Sequence, residues 1–471
     1  MKRSLLVAPG SASVQPRQAS PSRAAGALTL AAMSLGFGVV QLDITIVNTA
    51  LESIRTALSG DVAELQWVVN AYTIGFAAFI LTAGALGDRM GAKRVFMAGF
   101  ALFTAASVGC GVAPDAISLI ALRGVQGLAA ALLVPNSLAL LNHAYGDAKA
   151  RGRAVGVWAA GASLALTAGP FVGGALIALS GWRAIFFVNL PIGLAGLWLA
   201  KAYARETPIQ ADRAVDLPGQ IAAVVALGAL AAALIEAGVR GWTDEAVMLG
   251  LAVAAAAGVA FVWLEAQATD PMLPLLLFRN HLFTRCALVG LLANVSIYGL
   301  IFVLSLYFQE INHMSAFATG LAFVPMFAVV LPVNLLAPRV AERVGARATI
   351  ALGAALSAAS CLALLPIAPG TAYLAICLQL VGLSCGLGLV VPPLTSTLLG
   401  SVDKSRSGVA AGVLNATRQT GSVVGVALFG ALIGQAGAFI HGLRLSLAIS
   451  AAVLFAAAGV IRWGAAGRQA R

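Results

Sequence analysis

Asp43 is the only charged residue between Arg23 and Glu52, and Arg123 is the only one between Asp115 and Asp147. Each stands alone in an apolar run long enough to cross a bilayer. An ionisable group at the centre of such a run costs at least about 2.5–3.5 kcal/mol, so function is the default reading. Entering from opposite faces, the first and fourth runs bring Asp43 and Arg123 to matching depth, where they can pair. Burial favours a neutral carboxyl and a neighbouring guanidinium favours a charged one, an opposition that suits a proton switch. In that reading Asp43 takes a proton and releases Arg123. The alternative is a static ion pair that holds two helices in register. Glu310 and Glu236 are further protonation candidates, although both read as span-end residues facing water.

Other polar groups fall within spans. Asn70, Tyr72, Asn136, Asn294, Tyr298 and Asn334 can line a cavity, or equally bond from helix to helix. Arg418 stands alone between Arg406 and Arg444, beside Gln419 and close to Asn415. It either faces a cavity or donates to helix-end carbonyls. No Gly-x4-Gly-Lys-Ser/Thr loop is present, which argues against ATP drive. The four histidines sit in loops or at span ends, so neither a metal site nor a catalytic triad is expected. The five cysteines show no paired spacing and read as packing. No cofactor and no enzymatic role are expected.

The frame that must hold these groups follows from composition. Of 471 residues, 60% are hydrophobic and only 10% charged, too few to cover a water-soluble globule. An all-α polytopic membrane protein is expected. Spans fall near residues 24–50, 66–87, 95–113, 117–141, 154–179, 182–201, 217–236, 246–264, 284–309, 316–337, 348–367, 371–398, 408–434 and 440–463. With fourteen spans, 23 Lys and Arg lie on the face shared by both termini and four on the other. That asymmetry places both termini in the cytoplasm, and a plasma (inner) membrane is the expected location. A twelve-span arrangement without the pair at 217–264 keeps the asymmetry; length favours fourteen. The net charge of +11 therefore reports topology and anionic lipid, not nucleic acid.

The chain repeats itself. Asp88-Arg89-Met90-Gly91-Ala92-Lys93-Arg94 is echoed by Glu342-Arg343-Val344-Gly345-Ala346-Arg347, 254 residues on. Val134-Pro135 finds Val391-Pro392 at 257, and Arg151 finds Arg406 at 255. The matched loops lie on the same face, as two six-helix bundles in parallel repeat require. The expected organisation is a disordered tail over 1–23, a first bundle over 24–201 and a linker with two extra helices over 202–283. A second bundle over 284–463 and a tail over 464–471 complete it. The inserted helices read as free of intramembrane charge and peripheral.

With these residues assembled, the chain resembles the major facilitator superfamily, in its fourteen-helix drug:proton antiporter branch. Gly84-Ala85-Leu86-Gly87-Asp88-Arg89-Met90-Gly91-Ala92-Lys93-Arg94 is similar to the superfamily's loop signature. Leu42-Asp43-Ile44-Thr45-Ile46-Val47-Asn48 looks like the branch signature, and Arg123-Gly124-Val125-Gln126-Gly127 the fourth-helix motif. Gly161, Gly169-Pro170 and Gly173-Gly174 match the antiporter motif. Gly181-Trp182-Arg183 followed by Phe186-Phe187-Val188-Asn189-Leu190-Pro191 completes the pattern. The resemblance covers the N-terminal half densely and the C-terminal half mainly at Asn415 to Gly421.

It implies Asp43 and Arg123 as the proton-coupling pair, and a cavity-lining role for Asn415, Arg418 and Gln419. It also implies a gate loop of Gly84, Asp88, Arg89, Gly91 and Arg94, in which Asp88 offers its charge to the helix beginning near Gly408. The glycine and proline cluster is implied to make a dry contact that resists proton leak. The expected activity is proton-coupled export of lipophilic, neutral or monocationic compounds by a monomer in the bilayer. A dedicated metabolite exporter and a non-transporting sensor or scaffold are the alternatives, and a periplasmic adaptor is left open as a partner.

Overall fold

The computed structural model describes residues 23–209, 216–403, 406–434 and 439–462. The two tails expected at 1–23 and 464–471 lie outside them, apart from Arg23, which begins the first helix. The described residues fold as helices joined by short loops. Thirteen helices are long and apolar enough to cross a membrane. They are α1 (Ala24–Leu58), α2 (Val62–Met90), α3 (Ala92–Val112), α4 (Ala116–Ala144), α5 (Lys149–Ser180), α6 (Ala184–Tyr203), α7 (Leu217–Arg240), α8 (Glu245–Gln267), α9 (His281–Ile311), α10 (Ala316–Val344), α11 (Ala346–Ala363), α12 (Tyr373–Gly400) and α14 (Phe439–Arg462). Between the last two lies α13 (Ser407–Ile433), 27 residues and long enough to cross, with a polar run from Asn415 to Thr420.

Side chains just ahead of the spans set where they start. Asp61 accepts from the amide of Glu64, whose carboxylate returns the bond, a capping box that opens α2. Asp115 caps α4 through Ser118 and Asp147 caps α5 through Ala150. In α1 the helix does not stop at residue 50; a 3-10 turn over Val47–Ala50 carries it on to Leu58.

Helix α2 packs on α4, α4 on α3, and α1 on α5 and α6. In the second half, α9 packs on α13 and α14, and α11 on α12 and α14. The halves meet through α2 against α13 and α5 against α10. The repeated loops share one backbone shape: Gly91 and Gly345 end α2 and α10 at φ of +96° and +89°. Only glycine takes that conformation without strain.

Of the inserted pair, α8 is largely exposed while α7 lies along α2 and α13. Gln220 donates to the Ala78 carbonyl at 3.0 Å and accepts from Thr82, and Gly238 lets α7 meet the backbone of Ala431. The pair is thus less peripheral than its sequence suggests, because α7 bridges both halves. One residue past the span expected at 246–264, Glu265 is 3% exposed and accepts from the Leu273 amide.

The tightest contacts between halves lie at the end away from the basic loops. Gly174 admits the backbone of Phe317, Gly320 admits that of Pro170, and Ser305 donates to the Asn48 carbonyl. At the basic end of α5, Gly152 and Gly156 meet nothing within 4 Å.

Candidate functional site

Glycine spacing builds the site. Gly127 of α4 faces the backbone of Tyr72, and Gly75 of α2 faces the carbonyl of Gly124 at 2.7 Å from where a Cβ would sit. With no side chain between them the two helices touch. That closeness places the Arg123 guanidinium 4.4 Å from the centre of the Tyr72 ring. It also lets Arg123 Nε donate to the Val68 carbonyl at 3.1 Å.

Asp43 and Arg123 are 0% and 1% exposed. Arg123 Nη1 donates to Asp43 Oδ2, and also to Gln126 Oε1 at 2.9 Å. The other Asp43 oxygen, Oδ1, accepts from Asn189 Nδ2 at 3.2 Å and Gln126 Nε2 at 3.4 Å. Ser107 Oγ accepts from both amides, at 2.7 Å from Gln126 and 3.3 Å from Asn189. Five helices contribute: α1 (Asp43), α2 (Tyr72), α3 (Ser107), α4 (Arg123, Gln126) and α6 (Asn189). Every group facing Asp43 in these bonds is a donor. A proton added to the carboxylate would point a donor at donors, so the ring must rearrange.

Gln126 and Asn189 were named in the sequence motifs without a role, and Ser107 was not singled out. Their signal was available: amides and a hydroxyl in apolar spans must find partners. What the sequence lacked was which amide meets which charge.

A narrow cleft adjoins this ring, lined by Ile44, Asn48, Val69, Tyr72, Thr73, Arg123, Tyr298, Gln419, Ser422 and Val426. It joins four candidates from the two halves: Tyr72, Arg123, Tyr298 and Gln419. Arg418, the next residue to Gln419, is half-buried and has Tyr298 as its electrostatic neighbour. Asn415 is also half-buried.

The remaining candidates lie elsewhere. Asn136 donates to the Ala83 carbonyl at 3.1 Å and to Leu132 at 2.8 Å, a bond between α2 and α4 rather than a cavity wall. Asn294 donates to Gly290 of its own helix at 2.8 Å. Asn70 is fully buried with neither amide atom bonded, and Asn334 is half-buried with its oxygen unbonded. Glu310 faces Arg55 at 3.4 Å and Glu236 pairs with Arg240 at 2.7 Å, both far from Asp43 in the chain and in packing.

The antiporter-motif residues line α5 where it is wedged between neighbours. Gly169 and Gly173 face Thr45, Ile46 and Thr49 of α1, while Gly174 and Pro170 face α10. Gly161 makes only ordinary contact with Ser34. At the basic end, Gly87 leaves room for the Asn136 amide and Gly84 rests near Pro135. Asp88 is half-buried and Arg89 exposed. The start of α3 is held by a residue the sequence reading passed over. Glu206 accepts from the Lys93 amide at 2.7 Å and the Arg94 amide at 3.2 Å, placing a carboxylate on a helix N-terminus.

A family model of the Major Facilitator Superfamily matches residues 33–426. The chain belongs to the major facilitator superfamily. It is therefore a multi-pass membrane protein among transporters, not an enzyme. It is 35% identical over 443 residues to the methylenomycin A resistance protein of Streptomyces coelicolor, covering 94% of this chain and 93% of the relative. It is 37% identical over 409 residues to the multidrug resistance protein Stp of Mycobacterium tuberculosis, covering 86% of this chain and 75% of the relative. A solved POT family transporter in complex with a thioalcohol-conjugated peptide shares the fold, at a TM-score of 0.71 and 13% identity. That likeness covers 94% of this chain and 96% of the transporter.

Proposed function

We propose that this chain exports lipophilic compounds across the plasma membrane in exchange for protons, by alternating access, with both termini in the cytoplasm. The observation that carries the reading is Asp43: a buried carboxylate ringed by donors, paired with an arginine that lines the cleft between the halves. Protonation breaks that ring, frees Arg123 and so reports to the wall a substrate touches. Drug-resistance relatives matched over three quarters or more of their length support export rather than uptake.

The drive is adequate. A proton entering at roughly 150 mV supplies about 3.5 kcal/mol, a gradient of a few hundredfold for a neutral compound. The far-end contacts of α5 with α10 and of α1 with α9 correspond in this reading to a state closed to the outside. The loop from Gly84 to Arg94 acts as the gate at the cytoplasmic end, with Asp88 its charged element. A monomer contains the whole arrangement.

A second reading is export of one dedicated compound, favoured by the relative whose name specifies a single antibiotic. Both are tested in liposomes holding a pH-sensitive dye, with compounds added under an imposed proton gradient. Compound-dependent proton flux is expected, over a broad panel for multidrug export and for one compound class otherwise. Compound accumulation with no proton movement would sink the antiport reading.

A further inference from the structure

The inserted helices bring two carboxyl groups face to face. Asp216 caps α7, its Oδ1 accepting from the Gly219 amide at 2.9 Å. Glu265 lies near the end of α8, 3% exposed, with Oε2 accepting from the Leu273 amide at 3.0 Å. The second oxygen of each acid is buried and has no hydrogen-bond partner among the described residues. Gly219 leaves the space they occupy: a Cβ there would lie 2.5 Å from Asp216 Oδ2 and 3.0 Å from Glu265 Oε1. The two carboxyl groups are within hydrogen-bonding reach of each other.

Two acceptors cannot bond without a hydrogen between them, and two buried anions at this range repel. A cation would remove the difficulty, yet no Lys, Arg or His among the described residues forms an ion pair with either acid. On the surrounding elements, Asp270 and Arg406 are exposed and line the cavity beside Asp216. Arg279 is exposed on the 3-10 turn (Leu275–Arg279) that packs on α8. Helix α2 faces the same cavity with the uncharged Leu81, Thr82 and Ala85, and its charges, Asp88 and Arg89, follow at its end. A metal ion needs more oxygens than this pair offers. The described residues hold no group of three or more His, Cys, Asp or Glu side chains placed for one.

We propose that Asp216 and Glu265 are a second proton-binding site, one proton held between their facing oxygens and fastening the inserted helices at the basic end. The O–H of one acid donates to the carboxylate of the other, while each outer oxygen keeps its backbone amide. The site is separate from Asp43, whose partners are Arg123, Gln126 and Asn189. It is tied to α2. Gln220, one turn past Asp216, donates to the Ala78 carbonyl, and Thr82 touches Met272 Sδ at 3.6 Å, next to the Leu273 that holds Glu265. Loss of the proton therefore sets two like charges at the joint between α7, α8 and the loop resting on α2. The binding of this proton does not depend on the antiport reading.

The test is infrared spectroscopy of the purified protein at about pH 7, where an unperturbed carboxyl group is ionised. Wild-type-minus-variant spectra report the C=O stretch of a protonated carboxyl. Loss of one such band is expected in Glu265→Gln and equally in Asp216→Asn, because in either variant the new amide donates and the remaining acid is ionised. Asp43→Asn is expected to keep the band. In thermal unfolding each single amide variant should stay near the wild-type midpoint, while the double variant, which sets donor against donor, falls below both. The proposal is overturned if neither variant removes a protonated-carboxyl band. A band that survives Asp216→Asn also overturns it, since Glu265 would then hold its proton alone. A wild-type midpoint raised by sodium or calcium chloride, and unmoved in the variants, would assign the pair to a metal cation instead. If Glu265→Gln does not fold, Asp216→Asn decides.

Discussion

The hydroxyl of Thr45 donates to the carbonyl of Leu166 at 3.1 Å. Pro170, four residues beyond Leu166, has no amide hydrogen to give it. A residue of α1, two positions from Asp43, thus completes the broken ladder of α5. The proline of the antiporter motif and the buried acid are joined by one helix contact.

Replacing Thr45 by Val keeps the shape and removes the donor. The Leu166 carbonyl then stays unsatisfied in a dry contact, at a cost of about 1–3 kcal/mol. Thermal unfolding in detergent should show a lowered midpoint for Thr45→Val and a near-native one for Thr45→Ser. An unchanged Val variant would mean that the carbonyl finds another donor.

Asp43→Asn preserves volume while leaving Arg123 without its anion. Breaking a buried pair in this way costs about 3–5 kcal/mol, so a loss of stability is expected together with loss of proton-driven export. Ligand binding should remain measurable, since the cleft residues are untouched. Full proton-driven export in this variant would favour the static-pair reading. The double variant with Arg123→Gln should regain much of the stability but none of the coupling.

Asn189 is the test of the ring. Asn189→Ala removes one donor to Asp43 and one to Ser107. Hydrogen bonds to charged groups contribute about 1.5–3 kcal/mol, so coupled flux should fall about ten- to hundredfold if the ring sets the switch. Flux at the wild-type rate would show that Gln126 and Arg123 suffice.

Gly91 tests the basic-end loop. Its φ of +96° is strained for any other residue, and a Cβ there would meet the Glu206 carboxylate. Gly91→Ala should destabilise the protein by roughly 1–2 kcal/mol from backbone strain alone. Glu206→Gln, which only removes charge from the start of α3, should cost about 0.3–1 kcal/mol. Calorimetry of the pair separates strain from capping, and equal losses would contradict the assignment.

Much of the architecture is legible in the chain itself. Apolar runs of bilayer length, interrupted by basic loops, dictate spanning helices, because nothing else satisfies the backbone in hydrocarbon. The isolation of Asp43, Arg123 and Arg418 marks them just as plainly, since burying charge is costly enough to be rare. The Gly91 and Gly345 echo likewise announced a shared turn, which the matching φ values display.

Partnership was another matter. Asn136 and Asn70 are the same residue type in similar spans, yet one bridges α2 and α4 and the other has no bonded atom. Glu206 and Glu265 gave no sign of capping α3 or lying buried beneath α7, for each depends on a segment distant in the chain. Hydrophobicity depends on a residue's own side chain and can be read locally. Which donor meets which acceptor depends on helix rotation and approach, set jointly by glycines on two helices at once. The sequence therefore determined the spans and the identity of the rare charges. Only the tertiary packing decided that Arg123 is paired with Asp43 and that Gln419 lines the cleft beside them.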